Sequence, residues 1–262
     1  MAQKISTKPH MKTSDWYFDE LFWLTVRPAM FPNEILSSAH GDAATLVNLL
    51  GLKRGARLVD LCCGFGRFAL QFAQMGYQVT GVDSCEPFLD ELKSTASAKA
   101  LSVDARLLRI QELDYEGKFD AAFLLYTSFA YSREQKEDVE ILRRILRSLR
   151  PRGQFLLDLY SVSNIRRNLL QVQEAGQVLS VKHRAISQDN LQWGWLWIDA
   201  VWQVATPSNV QSFTIGQRFY TESGLRHILC EAGFTNIKIF GTYSGAPYSA
   251  DSDKIVALAE RP

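Results

Sequence analysis

The chain has 262 residues, 29 Lys plus Arg against 28 Asp plus Glu, a formal net charge of +1 and 47% hydrophobic residues. A balance this close to neutral lacks the basic footprint that phosphate backbones and anionic membranes select, and no apolar run approaches the roughly 18–20 residues of a membrane span. Nucleic acid and membrane are therefore not expected as partners. The start, Met1 to His10, has no apolar signal core, so a cytoplasmic protein is expected. Cys62, Cys63, Cys85 and Cys230 form no Cys-x-x-Cys pair and have no His at finger spacing, which predicts reduced thiols and no metal site.

Residues 14–31 carry six aromatics ahead of the first clear αβ unit, and such a segment needs a surface to cover. From Asp42 to Leu52 the residues Ala43, Leu46, Val47, Leu49 and Leu50 recur at helical spacing, and Gly51 and Gly55 end the run. There follow a strand at Arg57–Cys62, a glycine turn, a helix from Phe68 to Met75 closed by Gly76, and a strand at Gln78–Val82. A helix at Glu86–Ala96, a weak strand at Ala105–Arg109 and an apolar strand at Phe119–Tyr126 come next. Glu134–Arg150 aligns Val139, Leu142, Ile145, Leu146 and Leu149 on one face, stops at Pro151-Arg-Gly153, and leads into a strand at Gln154–Tyr160. Apolar strands alternating with amphipathic helices predict a parallel, doubly wound sheet.

The rhythm changes after Asn164. Val178–Ile186, Leu191–Val204 and Val210–Tyr220 read as three strands joined through Gln188-Asp-Asn190 and Pro207-Ser-Asn209, an antiparallel meander. A helix at Glu222–Ala232, capped by Thr221 and closed by Gly233, then precedes strands at Phe234–Phe240 and Lys254–Ala259.

The first turn, Leu58-Val-Asp-Leu-Cys-Cys-Gly-Phe-Gly-Arg-Phe-Ala69, contains Gly64-x-Gly66-x-x-Ala69, and Asp83 lies 19 positions past Gly64. That pattern satisfies a dinucleotide fingerprint and makes an NAD(P)-dependent oxidoreductase one reading. Asp60 opposes it, because a carboxylate at the strand mouth repels a pyrophosphate and attracts a cation. S-adenosylmethionine, with a sulfonium, an ammonium and no phosphate, suits an acid at the strand end, a close-approach turn and a second acid for the ribose.

At this point the chain resembles the class I S-adenosylmethionine-dependent methyltransferases, in the small-molecule branch with an antiparallel lid. The resemblance runs through Val59-Asp-Leu-Cys-Cys-Gly-Phe-Gly-Arg67, Val79-Thr-Gly-Val-Asp-Ser84, Phe119 to Tyr131, Leu146-Arg-Ser-Leu-Arg-Pro-Arg-Gly153, Phe219-Tyr-Thr-Glu-Ser-Gly-Leu225 and Pro247 to Asp253. It implies a Rossmann-like α/β sheet of seven strands, the last antiparallel, with an inserted three-stranded antiparallel lid. The implied organisation is a cover segment at 1–41, a core at 42–163 and 217–262, and a lid at 164–216. By the same resemblance Asp60 and the turn through Cys62, Cys63, Gly64 and Gly66 hold the methionine end, Asp83 the ribose hydroxyls, and Ser84 the adenosine nearby. Leu125 and Tyr126 form the sulfonium wall, and Tyr17 folds over the cofactor. Cys62 stands where relatives have glycine, a change that its small side chain tolerates if φ is negative. Arg109 stands where relatives commonly have an adenine-binding aspartate, which leaves adenine to Ile110, Gln111 and apolar packing.

Sulfonium methyl transfer is an in-line displacement that needs positioning and water exclusion, and a base only for nucleophiles whose proton has a high pKa. Candidate catalytic groups are Asp158, His183 and Tyr131; candidate substrate contacts are Trp16, Ser128, Trp195, Arg218 and Tyr220. Trp193, Trp195 and Trp197 share a face by alternation and suggest an aromatic pocket. The five arginines from Arg143 to Arg152 read as a solvated helix face, with Glu140 paired to Arg144. Leu125-Tyr-Thr-Ser128 lacks the Asn/Asp-Pro-Pro-aromatic tetrapeptide of nucleic-acid aminomethylases. The expected activity is methyl transfer to a small aromatic or partly apolar acceptor by a monomer or homodimer. A non-catalytic cofactor sensor or partner subunit is the other alternative.

Overall fold

The computed structural model describes residues 16–168, 181–206 and 209–262. After a 3-10 turn at Trp16–Phe18 come α1 (Glu20–Met30), α2 (Asn33–Leu49), β1 (Arg57–Leu61), α3 (Ala69–Gln74), β2 (Gln78–Asp83), α4 (Glu86–Ala98), β3 (Val103–Leu107) and β4 (Phe119–Leu124). Then follow α5 (Gln135–Ser148), β5 (Leu149–Tyr160), α6 (Val162–Asn168), β6 (Val181–Asn190), β7 (Trp195–Thr206), β8 (Asn209–Tyr220), α7 (Glu222–Ala232), β9 (Thr235–Phe240) and β10 (Lys254–Glu260).

Seven strands make one sheet in the order β3-β2-β1-β4-β5-β10-β9, in which β10 runs antiparallel to both neighbours. The chain order reverses direction between β1 and β4, so the carboxyl ends of β1, β2 and β4 open onto a common crevice. The central strands are apolar on both sides because helices cover both faces: β1 buries Leu58 through Leu61, and β4 buries Ala121 through Leu124. One face packs on α5 and α7 through Leu142, Ile145, Leu225 and Ile228; the other packs on α2, α3 and α4 through Leu46, Phe72, Leu89 and Leu92.

The meander forms a separate antiparallel sheet, β6-β7-β8. Its inner residues Leu196, Ile198, Ala200, Val204, Ile215 and Phe219 form a third apolar cluster with Trp16, Phe22 and Val26 of the amino-terminal segment. Trp16 Nε1 donates to the Gly216 carbonyl at 3.0 Å, which fastens that segment to β8.

Several expected boundaries move, each for a local reason. Helix α2 begins at Asn33 and crosses the expected 41/42 boundary, and β8 pairs with β7 as far as Tyr220, past the expected lid end at 216. Gln188-Asp-Asn190 is strand, paired with Trp197, Leu196 and Trp195; the reversal lies at Leu191–Gly194, where Gly194 takes φ +79°. Trp193 thus belongs to the 3-10 turn Leu191–Trp193, outside the strand that carries Trp195 and Trp197. Pro151-Arg-Gly153 falls inside β5, where the pairing jumps from Phe119–Leu149 to Ala121–Gln154. The weak strand sits two residues earlier than expected, as a half-exposed edge strand with little alternation to read. Helix α7 starts at its Thr221 cap, whose hydroxyl accepts Gly224 N–H at 3.2 Å, and stops at Gly233 with φ +102°.

Candidate active site

Both walls of the cleft begin where a strand ends in an unusual backbone. After β1 the chain turns through Cys62 at φ +53°, so the expectation of a negative φ at this position is wrong: a cysteine occupies the left-handed region that usually takes glycine. Asp83, at the end of β2, holds the turn, with Oδ2 accepting Gly64 N–H at 2.7 Å and Oδ1 accepting Cys85 N–H at 2.8 Å. Gly66 serves packing: a Cβ there would lie 2.3 Å from Leu92 Cδ1, and Gly66 does not line the cleft.

Past β4 three further non-glycine residues are left-handed, Tyr126 (φ 62°), Thr127 (63°) and Ala130 (66°). Each such residue costs of order 1–3 kcal/mol and persists only where its surroundings hold it. Asp158 holds the first, accepting Tyr126 N–H at 2.6 Å through Oδ1 while Oδ2 pairs with Lys254 Nζ at 3.1 Å. From the other side the Gln217 amide donates to the carbonyls of Thr127 (2.8 Å) and Phe129 (2.9 Å), and Arg218 N–H donates to the Ala130 carbonyl (2.8 Å). The loop is therefore clamped between β5 and β8.

The cleft so formed is lined on one side by Asp60, Cys62, Cys63, Gly64, Asp83, Ser84, Ile110, Gln111, Leu125 and Tyr126, all among the expected cofactor contacts, together with Tyr17. Ser128, an expected substrate contact, and Tyr131, an expected catalytic group, line the cleft too. Phe18, Trp23, Met30, Phe31, Phe65, Arg67, Phe88, Phe129 and Ser132 line it as well. The aromatic density of 14–31 signalled the first of these, whereas nothing in the local sequence marked Arg67 or Ser132.

Other candidates lie elsewhere. Asp158 is fully buried behind Tyr126 and is a turn-holding group, not a cleft carboxylate. Arg218, 1% exposed, pairs with Asp138 at 2.5 Å and donates to the Arg133 carbonyl at 2.6 Å; Tyr220 donates to the same Asp138 oxygen at 2.7 Å. These groups knit β8 to α5 and do not reach the cleft. Trp195 and Trp197 carry the Arg218 guanidinium on their faces, at 4.8 and 5.4 Å, and Trp16 stands behind Tyr131 at 4.7 Å. None of the three indoles lines the cleft. Backbone pairing sets His183 opposite Trp202, and its side chain lies outside the described residues. Glu140 pairs with Arg143, while Arg144 donates to the Leu113 carbonyl.

Burial dominates the electrostatics. It raises the Asp60 carboxyl to about 7, against the opposing pull of the Arg67 guanidinium and the Ala69 N–H. It also raises Asp83, partly offset by the backbone N–H groups it accepts. The Cys62 and Cys63 thiols and the Tyr126 and Tyr131 phenols are all pushed up by burial and stay protonated near neutral pH.

The lining fits S-adenosylmethionine. Gln111 Oε1 is buried with no hydrogen-bond partner among the described residues, an acceptor suited to the adenine amino group. Asp83 keeps lone pairs for the ribose hydroxyls, and buried Asp60 faces the place of an ammonium. A dinucleotide fits poorly, since the Gly64 N–H that would meet its pyrophosphate is already bound to a carboxylate.

Residues 58–153 match a family model described as a methyltransferase domain. The chain is 30% identical over 133 residues to a putative methyltransferase, YqeM, of Bacillus subtilis, covering 49% of this chain and about half (52%) of that one. It is 25% identical over 233 residues to the cypemycin N-terminal methyltransferase of a Streptomyces species, covering 87% of this chain and 94% of the relative. Among solved structures, the CcbJ methyltransferase from Streptomyces caelestis superposes with a TM-score of 0.69 at 21% identity, over 86% of this chain and 95% of its own.

Proposed function

Because the chain belongs to the class I S-adenosylmethionine-dependent methyltransferases, we propose that it transfers the sulfonium methyl group to a small molecule with an aromatic or partly apolar frame. When bound, the cofactor supplies an electrophilic methyl carbon. Asp60 pairs with its ammonium, Asp83 and Ser84 engage the ribose hydroxyls, and Ile110 and Gln111 hold the adenine. Leu125 and Tyr126 wall the sulfonium, while Tyr17, Trp23 and Tyr131 exclude water and orient the acceptor. The β6-β7-β8 sheet acts as a lid by fixing the loop after β4. A cytoplasmic monomer or homodimer completes the reading. Among the described residues no helix is long and apolar enough to cross a membrane.

The observation that carries this reading is the pair of acids at neighbouring strand ends: buried Asp60 near the end of β1 and turn-holding Asp83 at the end of β2, both lining the cleft. Incubation with methyl-labelled S-adenosylmethionine and a small-molecule extract tests it. Labelled product with release of S-adenosylhomocysteine supports an enzyme. Tight binding without turnover identifies a sensor instead.

A further inference from the structure

The loop after β4 takes its shape from residues behind it. Tyr126 and Thr127 are both left-handed, at φ 62° and 63°, a conformation that non-glycine residues keep only where their surroundings hold it. Residues 158–160 of β5 supply that hold. Asp158 Oδ1 accepts Tyr126 N–H at 2.6 Å, the Asp158 carbonyl accepts Thr127 N–H at 3.1 Å, and Tyr160 N–H donates to Thr127 Oγ1 at 3.1 Å. The first of these is the strong one, because an ionised acceptor makes a bond roughly twice as strong as a neutral one.

An ionised Asp158 at 0% exposure needs a cation. The antiparallel pairing of β10 with β5 sets Lys254 opposite Tyr160, on the face that Tyr160 shares with Asp158, and a long side chain spans that diagonal. Lys254 Nζ comes within 3.1 Å of Asp158 Oδ2 and donates to the Tyr243 hydroxyl at 3.0 Å. It also lies over the rings of Tyr243 (4.5 Å) and Tyr126 (6.0 Å). Burial, and after it the Asp158 charge, push the Tyr243 phenol well above its ordinary range, so the ammonium rests beside a neutral ring.

Tyr126 passes this hold on to the cover of the cleft. Its hydroxyl donates to the Met30 carbonyl at 2.6 Å, and its ring stacks at 5.0 Å on Phe31, which meets Phe65 edge-on at 5.2 Å. All four residues line the cleft. The left-handed φ fixes where the Tyr126 side chain points. A backbone relaxed to negative φ would swing the hydroxyl off Met30 and free the junction of α1 and α2 from the turn that carries Phe65.

We infer, resting on the methyl-transfer reading above, that Lys254 is a positioning residue for the cofactor: its charge keeps Asp158 in place as the carboxylate that turns Tyr126, and Tyr126 latches Met30 and Phe31 over the bound ligand. Lys254 acts through these two residues.

The test loads the purified full chain with S-adenosylhomocysteine and follows release after rapid dilution by tryptophan fluorescence, Trp23 lying in the lining. Lys254→Met should speed release about 5-fold or more, the scale of one lost hydrogen bond, and Lys254→Arg, which keeps the charge, should restore it. Tyr126→Phe keeps the ring and removes the latch hydroxyl, so it should speed release by itself. Adding Lys254→Met to it should then change little, because both act through one latch. Should Lys254→Met melt below the assay temperature, Lys254→Gln carries the same comparison, since it keeps a donor for Asp158 and removes the charge. Unchanged release without the Lys254 charge overturns the inference. So does release that Arg fails to restore, or factors that multiply in the double variant, which mark independent effects. Wild-type chain that fails to bind S-adenosylhomocysteine is a different result: it removes the methyl-transfer reading itself, and this inference with it.

Discussion

On the β1–β2 wall the cleft presents carboxylates and main-chain groups from turns spanning residues 60–66 and 83–85; on the facing wall it presents rings and hydroxyls from residues 17–31 and 126–132. The first wall is local, because Asp83 reaches Gly64 directly and one hydrogen bond joins the two turns. The second is assembled at long range. Its loop is held by Asp158 on β5 and by Gln217 and Arg218 on β8, and its rings rest on a lid cluster that includes Phe219. A local, polar wall suits a fixed ligand, whereas an assembled, apolar wall can change shape with distant substitutions. The two walls should therefore fail separately.

The largest separation should come from Arg218→Met. Removing this cation strands Asp138 at 0% exposure, and breaking a buried pair in this way costs about 3–5 kcal/mol. Urea unfolding should show that loss, while the folded fraction still binds S-adenosylhomocysteine with unchanged affinity. A loss below about 1 kcal/mol, typical of a surface pair, would contradict the clamp.

Asp60→Asn should do the reverse. It removes a charged partner worth about 1.5–3 kcal/mol, so calorimetry should find affinity for S-adenosylhomocysteine roughly 10- to 100-fold weaker with no loss of apo stability. Native affinity would detach Asp60 from the ligand.

A pH series sharpens the same point. Burial raises Asp60 from 3.8 to about 7, so the folded apo protein binds this proton more tightly than the unfolded chain does. The resulting stabilisation is complete below the unfolded value and is lost as pH rises through about 7. Apo stability should fall across that window while affinity for S-adenosylhomocysteine, whose ammonium meets Asp60, climbs, and both slopes should flatten in Asp60→Asn. Parallel slopes in wild type and variant would assign the titration to another group.

The smallest effect is expected at Arg27, which ties α1 to Glu91 of α4 at 2.5 and 2.6 Å with both side chains partly exposed. Arg27→Met should cost under about 1 kcal/mol and speed release of S-adenosylhomocysteine by a few-fold in stopped flow. Unchanged release would make the tether purely structural.

The same division explains what the sequence disclosed. The alternation of strands and helices, the helix between Thr221 and Gly233, and the acids at the ends of β1 and β2 follow from short-range pattern and were legible. The left-handed φ of Cys62 was not, because glycine substitution hides a backbone requirement that the Asp83–Gly64 bond enforces from another strand. The alternation of Trp195 and Trp197 correctly marked a shared face, but only the pairing of β7 with β8 turns that face to Arg218 and away from the cleft. Asp158 sits at a strand end, where catalytic acids are sought, yet its oxygens go to Tyr126 N–H and Lys254. Both its partners come from other strands or their loops, beyond the reach of any local motif.

Calorimetric titration of the purified chain with S-adenosylhomocysteine and, separately, with NAD tests the assignment of the β1–β2 wall most directly. One site of saturable heat with S-adenosylhomocysteine and none with NAD is the predicted result. Binding of NAD with no heat from S-adenosylhomocysteine would contradict it.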